Sequence, residues 1–266
     1  MMKESYFSKN SICYRMNEFQ SGRPSLVFVH GLSGSSSAWV EYVKKFEKNC
    51  NLLSLDIRGH GKSTKLKSYE DYEIGKFSQD IYDLITYLNI KKPILVSHSF
   101  GTLIALEFLV KYQDLLTSSI FLSPNFCVKN GGSAKIMEFL LRSFVKISGL
   151  IPNSSKIGGH IDYSKYKNTG DWNIRRMSAD IRNTGLRVFL YCLKQSYEFD
   201  RKGFLGSINI PVLIIHGKKD TIFPVKNSII MAERINDFRL ILLENADHII
   251  VLNNFPEVSK AIENFI

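Results

Sequence analysis

Pro93-Ile94-Leu95-Val96-Ser97-His98-Ser99-Phe100-Gly101 leads into Thr102-Leu103-Ile104-Ala105-Leu106-Glu107-Phe108-Leu109-Val110. The first residues form a short apolar run without polar alternation, the pattern of a strand buried on both faces. The last are apolar nearly all round, the pattern of a buried helix. A serine on the sharp turn between such a strand and helix is held in strained backbone geometry, with its hydroxyl projecting above the sheet. Residues two before and two after it must be small, because strand and helix nearly touch there. Gly101 meets that need. Ser97 stands where the usual G-x-S-x-G pattern has glycine, a departure by the next smallest residue with a side-chain oxygen. The pentapeptide alone equally describes an ordinary serine-rich turn, so its context has to decide.

That context is an alternation of strand and helix patterns. Further non-alternating apolar runs are Leu26-Val27-Phe28-Val29, Leu52-Leu53-Ser54-Leu55, Ile120-Phe121-Leu122, Val212-Leu213-Ile214-Ile215 and Leu240-Ile241-Leu242-Leu243. Helical patterns separate most of them. Ser36 to Lys48 places Trp39, Val43 and Phe46 on one face, and Phe77 to Leu88 repeats apolar residues at Phe77, Ile81, Leu84, Ile85 and Leu88. Val225 to Ile235 and Phe255 to Ile266 are two more. The alternation predicts an α/β fold with a mostly parallel central sheet flanked by helices. Tyr6 to Phe19 reads as one or two antiparallel edge strands closed by the turn Ser21-Gly22-Arg23-Pro24. Between Phe126 and Leu205 the pattern is helical only, and strand-helix order resumes at Ile210-Pro211. The expected organisation is a core of residues 1–125 and 206–266 with an all-helical insertion at 126–205.

Size and composition narrow the function classes. A chain of 266 residues buries a sizeable core as one domain with an insertion. No stretch reaches the roughly 18–20 apolar residues of a membrane span, and the start, Met-Met-Lys-Glu-Ser-Tyr-Phe, lacks a signal peptide's apolar core. The expected location is cytoplasmic. Cys13, Cys50, Cys127 and Cys192 show no C-x-x-C spacing and read as free thiols in a reducing compartment. The net charge of +10 comes without a dense basic run, zinc-finger spacing or RNA-binding aromatic motif, so no nucleic-acid partner is expected. Gly61-Lys62-Ser63 looks like the end of a phosphate-binding loop, but Asp56 stands where that motif requires glycine. No H-E-x-x-H or similar spacing supports a metal site.

A serine needs a base and an orienting acid to act as a nucleophile at neutral pH. In this topology the acid and then the histidine follow the serine along the chain. Asp220 follows one predicted strand in His216-Gly217-Lys218-Lys219-Asp220, and His248 follows another in Glu244-Asn245-Ala246-Asp247-His248. Loops at the carboxyl ends of parallel strands are where such sheets carry their sites. Glu244 and Asp247 are rival acids, read as solvated loop charges. Ser123-Pro124-Asn125 offers no carboxylate after the strand that precedes the insertion. His98 is expected to point away from the turn, His30, His60 and His216 to pack loops, and His160 to be exposed. His30-Gly31-Leu32-Ser33-Gly34 follows the strand at 26–29. A backbone N–H there, with that of Phe100, would form an oxyanion hole.

With these residues the chain resembles the α/β-hydrolase superfamily, in its serine esterase and lipase-like branch. The resemblance covers nearly the whole sequence: His30-Gly31, the loop Asp56-Ile57-Arg58-Gly59-His60-Gly61-Lys62-Ser63, the Ser99 turn, the helical insertion as a lid, Asp220 and His248. It implies a serine hydrolase that cleaves a carboxylic ester, including lipid-like acyl esters, through an acyl-enzyme and without a cofactor. Ser99 would be the nucleophile, His248 the base, Asp220 its orienting acid, and the N–H groups of Leu32 and Phe100 the oxyanion hole. C–C bond hydrolases, thioesterases, lactonases and aminopeptidases share this machinery, and a weakly catalytic small-molecule receptor on the same scaffold is the alternative of another class. Ser99 argues against the branches whose nucleophile is aspartate. In the insertion, Ile136, Leu140, Leu141 and Phe144 form an apolar stripe, the expected acyl pocket. Twelve Lys/Arg against six Asp/Glu between Cys127 and Asp200 leave open a preference for anionic substrates or a transient membrane-surface contact. Oligomeric state is not legible.

Overall fold

The computed structural model describes residues 2–9, 11–127, 140–141, 143–145 and 157–266. Eight strands form one sheet: β1 (Lys3–Phe7), β2 (Ile12–Met16), β3 (Ser25–Val29), β4 (Asn51–Leu55), β5 (Ile94–His98), β6 (Ser118–Leu122), β7 (Val212–Gly217) and β8 (Phe238–Leu243). Their order is β1-β2-β4-β3-β5-β6-β7-β8. The β1–β2 and β2–β4 pairings are antiparallel and the others parallel. Each apolar run of the sequence lies in one of the parallel strands, and the expected edge hairpin is β1–β2.

Alternate residues of each central strand feed two separate cores. Val27, Val29, Leu95, Phe121 and Ile214 face one side, with α2 (Ile74–Tyr87), α3 (Phe100–Tyr112) and α6 (Val225–Arg234). Leu26, Phe28, Val96, Ile120 and Ile215 face the other, with α1 (Val40–Phe46), α7 (Ile250–Asn253) and α8 (Phe255–Glu263). Burial on both faces explains why these strands are continuously apolar. The predicted helix at 36–48 opens as a 3₁₀ turn, Ser36–Trp39, whose first N–H donates to Asp56 Oδ1 at 2.7 Å. Between β6 and β7, the described residues carry α4 (Ile174–Thr184), α5 (Leu186–Glu198) and short 3₁₀ turns. The bridge Cys127–Asp200 closes the base of that segment. All four cysteines are buried free thiols. No helix among the described residues is long and apolar enough to cross a membrane.

Register aligns the carboxyl ends of the parallel strands. Val29 pairs with Leu55 and Ser97, His98 with Leu122, and Leu122 with Ile215. The loops beginning at His30, Asp56, Ser99, Ser123 and Lys218 therefore open on one rim.

Beside the Ser99 turn, helix and strand approach closely at Gly101. A Cβ added there would lie 2.7 Å from the carbonyl oxygen of Val29 and 2.8 Å from that of His30, both main-chain atoms that cannot swing aside. Gly101→Ala is expected to destabilise the protein by about 1–3 kcal/mol, the usual cost of overpacking. Urea unfolding measures it, and a midpoint equal to wild type would contradict this packing.

Candidate active site

Ser99 lies between the last residue of β5 and the first of α3, with φ 53° and ψ −120°. Left-handed φ is costly for a residue with a Cβ. The turn is held by Ser99 N–H donating to Leu122 O at 3.0 Å, and by Thr102 Oγ donating to Ser99 O at 2.7 Å. Ser97, at the motif's glycine position, is fully buried, and its hydroxyl donates to Ile120 O at 3.2 Å. A carbonyl of the neighbouring strand thus accepts a hydrogen bond from the extra hydroxyl, so the departure from glycine leaves no unsatisfied group.

Ser99 Oγ lies 2.7 Å from His248 Nε2, and His248 Nδ1 lies 2.7 Å from Asp220 Oδ2. With Nδ1–H donating to the carboxylate, Nε2 is free to accept the serine proton. The other Asp220 oxygen accepts the N–H groups of Ile222 and Phe223, each at 2.8 Å. Burial raises the Asp220 carboxyl, but hydrogen bonds from His216 and His248, and their charge, outweigh it and hold the group below the usual carboxylate range. The rival acids are engaged elsewhere. Asp247 accepts from Ile249 N and Asn253 Nδ2, and Glu244 pairs with Lys218.

His216, expected only to pack a loop, buttresses the acid. Its Nε2 lies 2.9 Å from Asp220 Oδ2 and 3.1 Å from Phe223 O, while Nδ1 lies 2.6 Å from Ser228 Oγ. Two acceptors at Nε2 place the proton there, and Nδ1 then accepts the Ser228 hydroxyl. The four-residue spacing from His216 to Asp220 was the available sequence signal.

The His248 main chain is gripped from three directions. Its carbonyl accepts from His98 Nε2 and Ser123 Oγ, both at 3.0 Å, and its N–H donates to Asp171 Oδ1 at 2.8 Å. His98 thus has a structural role, reaching to the histidine loop. Burial first, and the neighbouring His248, push the His98 imidazole down to about 3, so it stays neutral. Asp171 belongs to the segment between β6 and β7, and its other oxygen accepts Thr221 N and Oγ. Neither periodicity nor motif marks Asp171 in the sequence.

Gly31 packs directly on the serine: a Cβ there would lie 3.2 Å from Ser99 Cβ. This contact packs the Gly31 loop against the start of α3, where helical amides lack intrahelical acceptors. Buried, neutral His30 ties the loop down, with Nδ1 donating to Gly31 O at 2.8 Å and Nε2 accepting from Ile57 N at 3.2 Å. In the Asp56–Ser63 loop, Asp56 Oδ2 accepts Lys62 N at 2.9 Å and lies 2.8 Å from His160 Nε2. His160 is thus largely buried against that carboxylate, not exposed as expected. Lys62 Nζ is bound to Glu4, which leaves it no phosphate-binding posture. Glu4, Cys13 and His160 are the three-residue group of potential metal ligands among the described residues. Arg15 and Lys62 occupy the His160 and Glu4 donors, and burial pushes the Cys13 thiol up to about 12. That chemistry does not suit a divalent cation.

The expected acyl stripe divides. Leu141 is buried, whereas Leu140 and Phe144, on one face four residues apart, are 42% and 53% exposed. Ile136 lies outside the described residues. Helical geometry accounts for this split, because only the face bearing Leu141 and partly buried Val145 packs inward. An open groove of about 500 Å³ runs past Asp171, Trp172, Lys219 and Thr221 and does not include Ser99.

The sequence model of the alpha/beta hydrolase fold matches residues 24–255. This chain belongs to the alpha/beta hydrolase family. Human monoacylglycerol lipase ABHD6 is 25% identical over 96% of this chain and 78% of its own length. The pimeloyl-[acyl-carrier protein] methyl ester esterase of Wigglesworthia glossinidia brevipalpis is 27% identical over 92% of this chain and 95% of its own. A solved hydrolase from Pseudomonas aeruginosa superposes with a TM-score of 0.77 at 16% identity, covering 99% of this chain and 97% of its own. Membership and relatives make this alpha/beta hydrolase a hydrolase with ester-cleaving kin.

The low-lying Asp220 carboxyl has a consequence for stability. Its folded pKa lies below its unfolded value, so the stabilisation is complete above about pH 4 and fades as pH falls through the folded value. The difference in unfolding free energy between wild type and Asp220→Asn should therefore shrink from about pH 6 to about pH 3. Chemical denaturation across that range measures it, and a difference independent of pH would contradict the assignment.

Proposed function

We propose that this alpha/beta hydrolase is a serine esterase acting on small carboxylic esters, with Ser99 as nucleophile, His248 as base and Asp220 as orienting acid. The observation that carries the reading is the unbroken relay Ser99 Oγ–His248–Asp220, at 2.7 Å for each contact, on a serine held at left-handed φ. Ser99 Oγ attacks the ester carbonyl while its proton passes to His248 Nε2. Asp220 holds the tautomer and stabilises the imidazolium. The N–H groups of Leu32 and Phe100 receive the charge that develops on the carbonyl oxygen. His248 then protonates the leaving alcohol, an acyl-Ser99 ester remains, and a water activated by the same nitrogen releases the acid. No step in this sequence requires a cofactor.

Residues 126–205 are read as a lid over a core of 1–125 and 206–266. Three side chains support this reading, each bound to a different loop of the rim. His160 meets Asp56, Asp171 holds His248 N, and Thr184 Oγ donates to Ser33 O at 3.2 Å. The intact relay favours an enzyme over a receptor, since a binding scaffold has no need of a serine poised against a base.

Hydrolysis of p-nitrophenyl esters tests the proposal. Wild type should turn over and react with a fluorophosphonate at Ser99. Ser99→Ala should keep the wild-type melting transition, lose labelling and fall in kcat by at least about 10³-fold, the scale seen when a triad member is removed. Labelling of another serine, or retained turnover in the variant, would refute it.

A further inference from the structure

Arg176, in the first turn of α4, is only 5% exposed. Its Nη2 donates to Asp171 O at 2.6 Å. Its Nε and Nη1, also buried, have no hydrogen-bond acceptor among the described residues. Together they carry three N–H donors without an acceptor among the described residues. The carboxylates of Asp171, Asp180 and Asp247 feel or neighbour the Arg176 charge, yet each accepts from other donors and none is hydrogen-bonded to Arg176 Nε or Nη1. Asp171 accepts from His248 N, Thr221 N and Thr221 Oγ. Asp180 accepts the Tyr163 hydroxyl at 2.9 Å, and burial raises its carboxyl to about 7 against the lowering effects of that bond and of the Arg176 charge. Taking a guanidinium out of water without a partner is strongly unfavourable, and buried charges are normally paired or bind a ligand.

The position of Arg176 indicates which ligand. Its charge is felt at His98, beside Ser99, and at Asp247, beside His248. Through Asp171 it is one residue removed from the His248 main chain. Thr184, on the same helix, binds Ser33 next to Leu32. The helix that bears Arg176 is thus tied to both loops that flank the reacting serine, through Asp171 to the His248 loop and through Thr184 to Ser33. A planar guanidinium fork matches a carboxylate, and an ammonium does not reproduce it.

We propose that Arg176 binds a carboxylate carried by the substrate, so that this site takes esters bearing a second, ionised acid group. The inference rests on the esterase reading for its chemistry, but its binding component can be tested without turnover.

Hydrolysis of monomethyl and dimethyl esters of succinic, glutaric, adipic and suberic acids decides the kinetic part. Wild type should favour the monomethyl ester over the dimethyl ester by about tenfold or more in kcat/KM at its preferred chain length, a factor equivalent to about 1.4 kcal/mol. Arg176→Met should bring that ratio to about one, chiefly through KM of the monoester, and Arg176→Lys should restore part of it. Equal rates on both esters at every length, or a preference that survives in Arg176→Met, would overturn the proposal. Calorimetric titration of Ser99→Ala protein with adipate reads binding alone. Binding should be present there and lost in Ser99→Ala/Arg176→Met; should the methionine variant fail to fold, Ser99→Ala/Arg176→Lys, with weakened binding expected, takes its place. If no ester is hydrolysed, the esterase reading fails. Adipate binding that depends on residue 176 would still uphold the Arg176 site, and absence of binding or indifference to the substitution would overturn it.

Discussion

The contact on which this site depends is the one between α3 and the end of β3. Gly101 brings its helix so close to the carbonyls of Val29 and His30 that no Cβ fits between them. That closeness forces the chain through a left-handed residue at Ser99 as it leaves β5. It also presses Gly31 against the serine, so the N–H groups proposed to hold the oxyanion come from two elements fixed to each other. The strain at Ser99 is local, and the ten consecutive buried residues from Phe100 to Leu109 anchor the helix that sustains it.

The histidine side of the site is held differently. His248 follows an edge strand and sits in a loop, where main-chain position is least constrained. Its carbonyl and N–H are fixed by His98, Ser123 and Asp171, which come from three separate parts of the chain. One of the three lies in the segment between β6 and β7. That segment therefore contributes to the position of His248. Hydrogen bonds to charged groups typically contribute about 1.5–3 kcal/mol each, enough for the bond from His248 N to the Asp171 carboxylate to bias the loop strongly.

Much of this was legible because the signals are local. A strand buried on both faces must be apolar at every position, so β3 to β7 announce themselves as runs such as Leu26–Val29 and Val212–Ile215. The serine turn is visible through the size limit at Gly101, and Asp220 and His248 through their places after strands. What escaped depends on residues distant in sequence. Nothing around Asp171 signals a bond to a residue 77 positions later. His216 and His160 each looked like ordinary loop histidines, because their carboxylate partners are set by tertiary packing. At Leu140, Leu141 and Phe144, helical periodicity identifies apolar positions without saying which of them face the core. Arg176 stands out in the sequence only together with Arg175 and Arg182, as basic residues that could attract anions, and its burial distinguishes it from them.

A crystal structure of the protein inactivated with an alkyl fluorophosphonate tests the central claim most directly, because the bound phosphonate mimics the tetrahedral intermediate. The account predicts phosphorus bonded to Ser99 Oγ, with its phosphoryl oxygen about 2.7–3.1 Å from the backbone nitrogens of both Leu32 and Phe100. His248 should remain between that adduct and Asp220. A phosphonate on any other residue, or one on Ser99 whose oxygen turns away from those two nitrogens, would contradict it.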